Sequence, residues 1–199
     1  MTVPHWQKRG RRQSAAVGRE DAGRRPNPVA SVPGTVVYVG LGSNLDGPRA
    51  QVAAGMNELA GLAGTEVEAC SSLYASEPMG PQDQPDYVNA VVRLRTGLAP
   101  EALLDGLQAI ERRHGRRRTR HWGARTLDLD ILLYGGQQIA GPRLQVPHPG
   151  IALRSFVLYP LAELDSQLEI PGRGRVKELL SACPKGRLAR LDTAAPSFL

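Results

Sequence analysis

Two aspartates stand two residues apart inside an otherwise apolar run, in the stretch WGARTLDLDIL at residues 122–132. Leu127, Leu129 and Ile131 alternate with Asp128 and Asp130, which is the period of a half-buried strand. Residues i and i+2 of a strand point to one face. Both carboxylates therefore project from the same side of a sheet while the aliphatic side chains anchor the other. Like charges this close repel unless a positive charge sits with them. A hard divalent cation such as Mg²⁺ fits, because it takes oxygen ligands and is often held by one or two carboxylates plus substrate phosphates. A solvated strand face that carries two acids is the plainer alternative, and the rest of the chain has to decide between them.

The rest of the chain reads as an α+β domain. Residues 36–41 form a continuous apolar run, a buried strand. Asp46-Gly47-Pro48 then opens a helix with Val52, Met56, Leu59 and Ala63 on one face, closed by Gly64. Residues 66–73 alternate, with Val67, Ala69, Ser71 and Leu73 on one side, and read as a second strand. A Pro/Gly-rich loop over 77–86 leads to a third strand at 87–95, whose core face is Val88, Ala90, Val92 and Leu94. Pro100 opens a second helix with Leu103, Leu104, Leu107 and Ile110 buried, and residues 126–133 are the fourth strand. The order β-α-β-β-α-β is that of the ferredoxin-like fold, in which both helices cover one face of an antiparallel sheet. The other face is then free for a site. Strand parity alone puts Tyr87, Asn89, Asp128 and Asp130 together on it. Beyond these elements, residues 144–149 read as a short extended piece and 156–164 and 176–183 as helices, while the last dozen residues are expected to fray.

Charge separates the N-terminus from this domain. Seven of the Lys/Arg residues and two acids fall in residues 1–34, so nearly all of the +6 net charge lies there. The high basicity is thus poor support for nucleic-acid binding by the folded part. That segment lacks apolar periodicity and reads as a disordered tail, with no apolar stretch of signal-peptide type. The division expected is a basic extension at 1–34, a catalytic domain at 35–185 and a tail at 186–199. No apolar run reaches membrane-spanning length. The two cysteines, Cys70 and Cys183, have no metal-ligand spacing and suit a reducing cytosol.

Three further motifs bear on chemistry. Gly40-Leu41-Gly42-Ser43-Asn44 follows the first strand, but Leu45 stands where a dinucleotide fingerprint needs glycine; it reads first as a tight turn between strand and helix, with an added part in shaping a pocket as the alternative. The loop HGRRRTRHWGAR at 114–125 holds five arginines. Arginine suits bidentate phosphate recognition, which is expected of Arg116, Arg118 and Arg125, whereas Arg117 and Arg120 read as solvated. The part of this loop at 115–123, bounded by glycines and crowded with like charge, reads as a lid. His148 lies in VPHPG, its backbone fixed by proline on both sides and its ring available to a phosphate.

These pieces together resemble one family. GLGSN (40–44), EPMGPQDQPDYVNAV (77–91), GRRRTRHWGARTLDLDIL (115–132) and VPHPGIALRSFVLYPL (146–161) resemble, in order and spacing, the 6-hydroxymethyl-7,8-dihydropterin pyrophosphokinases of folate biosynthesis, over residues 35–165. The resemblance implies a ferredoxin-like fold and transfer of the diphosphoryl group of ATP to the pterin hydroxymethyl oxygen, with AMP as by-product. It implies a cytoplasmic monomer acting on two small substrates with two Mg²⁺ ions on Asp128 and Asp130. By the same resemblance, Asn89 hydrogen-bonds the pterin, Tyr87 and Phe156 sandwich its ring, and backbone near Ser76 and Met79 completes its edge. Gln108, Arg118, Trp122, Arg125, Ile131, Arg143, Gln145, His148 and Arg154 match positions around ATP, and Glu111 matches a nearby acid. Arg116, Arg118, Arg125 and Asp130 are the groups expected to act on the reacting phosphates and hydroxyl.

The chain departs from the family pattern at Ala124, where proline is usual, at His121, where arginine is common, and at Pro149, which replaces a tyrosine of some members. An RNA-recognition domain shares the strand order, but aromatics make up only 5% of the chain, no RNP-type motif is present, and two aspartates on the open face repel phosphate without a metal. A catalytically silent binding protein is disfavoured by the intact metal-ligand positions.

Overall fold

The strand that carries Tyr87 and Asn89 and the strand that carries Asp128 and Asp130 both pair with the first apolar run. In the computed structural model, which describes residues 34–116 and 123–191, the chain runs β1 (Thr35–Ser43), α1 (Pro48–Ala60), β2 (Thr65–Cys70), β3 (Tyr74–Ser76), β4 (Tyr87–Thr96), α2 (Pro100–Arg113) and β5 (Asp128–Tyr134). The small hairpin of β6 (Ile139–Ala140) and β7 (Gln145–Val146) follows, then α3 (Ser155–Leu164), a second hairpin of β8 (Glu169–Ile170) and β9 (Gly174–Arg175), α4 (Val176–Ala182) and β10 (Ala189–Arg190). β1 lies between β4 and β5, antiparallel to both. β2 and β3 follow one another along the far side of β4, and β10 adds an edge beside β3. This is the expected ferredoxin-like βαββαβ sheet. Among the described residues no helix is long and apolar enough to cross a membrane.

One face of the sheet carries the main core. Val37, Val39 and Leu41 of β1, Ala90, Val92 and Leu94 of β4 and Leu129 and Ile131 of β5 meet Val52, Met56 and Leu59 of α1 and Leu103, Leu107 and Ile110 of α2. Fully burying each such side chain contributes about 1.5–3 kcal/mol. α1 begins at Pro48 after a left-handed pair, Asp46 (φ 51°) and Gly47 (φ 77°), and ends at Ala60 rather than reaching Ala63. The Gly61 N–H turns back to Glu58 O at 3.1 Å, and Gly64 at φ 67° redirects the chain into β2.

The opposite face is not wholly free, as strand parity alone suggests. α3 and α4 cover part of it: Val157, Leu158 and Leu161 with Val176 pack on Tyr38, Val91, Leu132 and Leu133. Leu132 and Leu133 both serve this second core because β5 carries a bulge there, Leu133 pairing with Tyr38 and Ile131 with Val39. What remains open is the end of the face that holds Asn89, Gly42, Gly40, Asp128 and Asp130.

The strand expected over 66–73 is broken. A register shift at Glu68 and an extra residue in 71–73 interrupt the ladder with β4, where Cys70 pairs with Val92 but Tyr74 with Asn89. The core side is therefore Val67, Cys70 and Leu73 instead of a strict alternation. Ser71 Oγ fills the gap by accepting the Val91 N–H at 2.9 Å. At the other end, the segment read as a tail from 186 onward contributes β10, and the Leu191 N–H bonds Leu73 O at 2.8 Å. The fraying expected of the last dozen residues thus does not apply to residues 188–191.

Candidate active site

Cross-strand neighbours share a face, and the register sets two rows across the open end of the sheet. Asn89 pairs with Gly42, which pairs with Asp128; Val91 pairs with Gly40, which pairs with Asp130. The two glycines keep the floor low between the polar side chains. A methyl on Gly42 sits 3.4 Å from Asn89 Oδ1, and one on Gly40 sits 3.3 Å from Leu132.

One cavity lies over this floor and a second meets it at Asp130. The first, about 210 Å³, is lined by Ser76, Met79, Tyr87, Asn89, Arg125, Asp128 and, from the start of α3, Arg154 and Phe156. Asn89 is 5% exposed. Its Nδ2 donates to Ser76 Oγ at 2.9 Å and Tyr74 O at 3.4 Å, which leaves Oδ1 as an acceptor for a ligand donor. The Tyr87 hydroxyl donates to Gly123 O at 3.0 Å, and the Arg154 guanidinium lies 5.9 Å from the Phe156 ring centre. The second cavity, about 310 Å³, lies between α2, β5 and the β6–β7 hairpin and is lined by Leu104, Gln108, Ile131, Arg143, Gln145 and Pro149. Arg116, Asp130 and His148 line both cavities, so the two spaces meet at those three side chains.

The charges at the junction are interlocked. Arg116 ion-pairs with Glu111 and lies 2.5 Å from Asp128 Oδ1, while Arg125 ion-pairs with the other oxygen of Asp128. Glu111 is itself buried and accepts the Leu129 N–H at 2.8 Å. Burial pushes its carboxyl up from the usual range, against the Leu129 N–H and Arg116. Burial and the neighbouring Asp128 push Asp130 up to about 7, with Arg116 and Arg154 opposing. Burial and the Arg154 charge hold His148 down to about 4, so its ring is neutral near pH 7. Its Nδ1 accepts the Gly150 N–H at 3.1 Å, which places the ring proton on Nε2, 3.9 Å from Asp130 Oδ2.

The donor set fits Mg²⁺ bound jointly with a phosphate ester. Two carboxylates project over a floor of glycines, and no group of three or more His, Cys, Asp or Glu able to hold a metal occurs among the described residues. A hard cation here has to complete its shell with substrate oxygens and water.

The structure brings Ser76, Met79, Tyr87, Asn89, Arg116, Arg125, Asp128, Asp130, Arg154 and Phe156 around the first cavity, and Gln108, Glu111, Ile131, Arg143, Gln145 and His148 around the second. Arg143 is held 2.5 Å from Asp105 of α2. Arg118 and Trp122, with Arg117, Arg120, His121 and most of the expected lid, lie outside the described residues. Asn44, which the sequence places only within the turn motif at 40–44, is 2% exposed. Its amide donates to Gln84 Oε1 (3.1 Å) and Pro85 O (3.0 Å), and its Oδ1 accepts the Arg125 N–H (2.8 Å). It clasps the loop beside the first cavity to the segment leading into β5. The GLGSN motif marked its place just after the first strand, but not the partners it takes.

Comparison with known proteins gives a consistent likeness. Residues 38–166 match the family model described as 7,8-dihydro-6-hydroxymethylpterin-pyrophosphokinase. A 2-amino-4-hydroxy-6-hydroxymethyldihydropteridine pyrophosphokinase of Pseudomonas aeruginosa is 52% identical over 158 residues, 79% of this chain and 98% of that protein. Its counterpart in Haemophilus influenzae is 46% identical over 155 residues, 78% of this chain and 97% of that one. A crystal structure of Plasmodium falciparum HPPK-DHPS with pteroate shares the fold at a TM-score of 0.60 and 12% identity; the match covers 74% of this chain and 42% of that longer one.

Proposed function

The chain belongs to the 7,8-dihydro-6-hydroxymethylpterin-pyrophosphokinase family, and from that premise we propose that its first cavity takes the pterin and its second takes ATP. The reaction moves diphosphate from ATP to the hydroxymethyl oxygen of the dihydropterin, in folate biosynthesis. The bond from the β-phosphorus to the oxygen it shares with the α-phosphorus breaks, the β-phosphorus bonds to the pterin oxygen as that hydroxyl loses its proton, and AMP leaves. The observation that carries the two-cavity reading is their meeting at Asp130, Arg116 and His148. A group passing from one bound molecule to the other has to cross there.

On the pterin side, Tyr87 and Phe156 sandwich the ring and Asn89 Oδ1 accepts from a ring N–H. Ser76 and Met79 border its edge. On the nucleotide side, Gln108, Ile131, Arg143, Gln145, His148 and Arg154 surround ATP, and Arg118 and Trp122 are assigned there by sequence likeness alone. Asp128 and Asp130 hold two Mg²⁺ ions. When bound, the metal neutralises phosphate charge and lowers the pKa of the attacking hydroxyl. Arg116 and Arg125, already neutralising Asp128, turn part of their hydrogen bonding to the phosphates and stabilise charge there. His148 donates from Nε2. We assign no strong general base; Asp130, common to both cavities, assists removal of the proton from the attacking hydroxyl. Two free cysteines suit a reducing cytosol, and a monomer completes the reading.

The test is Asp128→Asn and Asp130→Asn, each checked for a wild-type circular dichroism spectrum. Turnover is expected to fall by at least about a hundredfold in each, and chelation of Mg²⁺ to abolish wild-type activity. AMP formation at wild-type rates in both variants removes the metal assignment.

A further inference from the structure

Glu163 lines neither cavity, yet its carboxylate accepts from both Ser72 and Tyr74. It lies on α3 seven residues after Phe156, two helical turns along the same face. Its Oε1 accepts from Ser72 Oγ at 2.7 Å and the Ser72 N–H at 3.1 Å. Its Oε2 accepts from the Tyr74 hydroxyl at 2.8 Å. Arg190 of β10 approaches Oε1 at 3.3 Å. Ser72 is in the break between β2 and β3, where no ladder partner on β4 takes its N–H. The carboxylate thus stands in for a missing strand neighbour. Burial and the Glu163 charge push the Tyr74 hydroxyl up to about 12, so it remains a proton donor at any physiological pH.

The other end of this contact is Asn89. Tyr74 pairs with Asn89 in the sheet, and the Tyr74 carbonyl and Ser76 hydroxyl accept both N–H groups of the Asn89 amide. Both acceptors belong to β3, only three residues long and following directly on the break. Where β3 sits therefore decides where Asn89 Oδ1 points. We infer that Glu163 is a positioning residue for pterin recognition, holding β3 through Ser72 and Tyr74 so that the Asn89 amide presents its oxygen to the first cavity. The inference rests on the assignment of that cavity to the pterin.

A carboxylate that merely cemented α3 to the sheet would lower stability and leave the kinetic constants alone, or shift them all together. A positioning residue moves one of them. Steady-state kinetics on the full chain with Glu163→Gln, Tyr74→Phe and the double variant make the distinction, with unfolding midpoints measured in parallel. Asn89→Ala serves as the reference. The expected result is a pterin KM raised by about tenfold in Glu163→Gln and about threefold in Tyr74→Phe, with kcat and the ATP KM within about twofold of wild type. The double variant should be no worse than Glu163→Gln, since the Tyr74 hydroxyl acts through Glu163. If Glu163→Gln does not fold, Tyr74→Phe, which removes only an oxygen, carries the test by itself. An unchanged pterin KM in the folded variants, with Asn89→Ala raising it, overturns the positioning role and leaves the cavity assignment standing. An unchanged pterin KM in Asn89→Ala overturns the cavity assignment and this inference with it.

Discussion

The carboxylate of Glu111 accepts the backbone N–H of Leu129 at 2.8 Å, and so ties α2 to β5 at the residue between the two aspartates. The same oxygen ion-pairs with Arg116. One buried acid thereby fixes both the strand that carries Asp128 and Asp130 and the arginine that joins the two cavities. Removing it leaves a buried N–H and a largely buried guanidinium with a lost partner. Glu111→Ala is expected to cost about 3 kcal/mol by urea denaturation and to lower kcat. Glu111→Gln keeps an acceptor for Leu129 and should cost about 1 kcal/mol. Equal destabilisation by the two substitutions would show that the Leu129 bond contributes nothing.

Gly42 pairs with both Asn89 and Asp128, and its added methyl would rest 3.4 Å from Asn89 Oδ1 and 3.9 Å from the Tyr87 ring. Those are ordinary contacts, so Gly42→Ala should fold with a wild-type melting profile. The methyl nevertheless occupies the floor where the pterin edge is proposed to lie. A pterin KM raised by about tenfold, equivalent to about 1.4 kcal/mol, is expected. An unaltered KM places the pterin elsewhere.

Asn44 joins Gln84 and Pro85 to Arg125 from a nearly inaccessible position. Asn44→Ala leaves the Arg125 N–H and the Pro85 carbonyl short of a partner, a loss of about 2 kcal/mol. Asn44→Asp retains the acceptor for Arg125 and should recover part of that stability. Differential scanning calorimetry of the two variants checks the order; Asp no better than Ala would assign the stability to the Gln84 and Pro85 contacts alone.

The Arg143–Asp105 pair is solvent-exposed on both sides. Solvent screens such pairs, so they contribute little. Asp105→Asn should therefore change the ATP KM by no more than about threefold and leave the pterin KM untouched. A tenfold effect would mean that Asp105 holds Arg143 in its working position.

Strand parity was enough to place Tyr87, Asn89, Asp128 and Asp130 on one face, because β4 and β5 run without a bulge through those residues. It failed on β2, where extra residues near Glu68 and in 71–73 reset the alternation. A bulge is set by pairing with a strand far away in sequence, so local periodicity does not encode it. The covering of the second face by α3 had the same origin: a helix over 156–164 was legible from its apolar residues, but the surface it packs on is a tertiary choice. β10, with only two residues, leaves no periodic trace. The roles of Asn44 and Glu163 went unread because their partners lie 40 to 91 residues away, whereas the arginines and aspartates advertised a site by crowding charge into one short stretch.

The nucleotide product is the most direct measure of the proposed transfer between the two cavities. With Mg²⁺, ATP and 6-hydroxymethyl-7,8-dihydropterin, the protein is expected to release one AMP for each pterin diphosphate formed, and Asp130→Asn is expected to form neither. Formation of ADP, or full AMP production by a folded Asp130→Asn variant, would contradict the account.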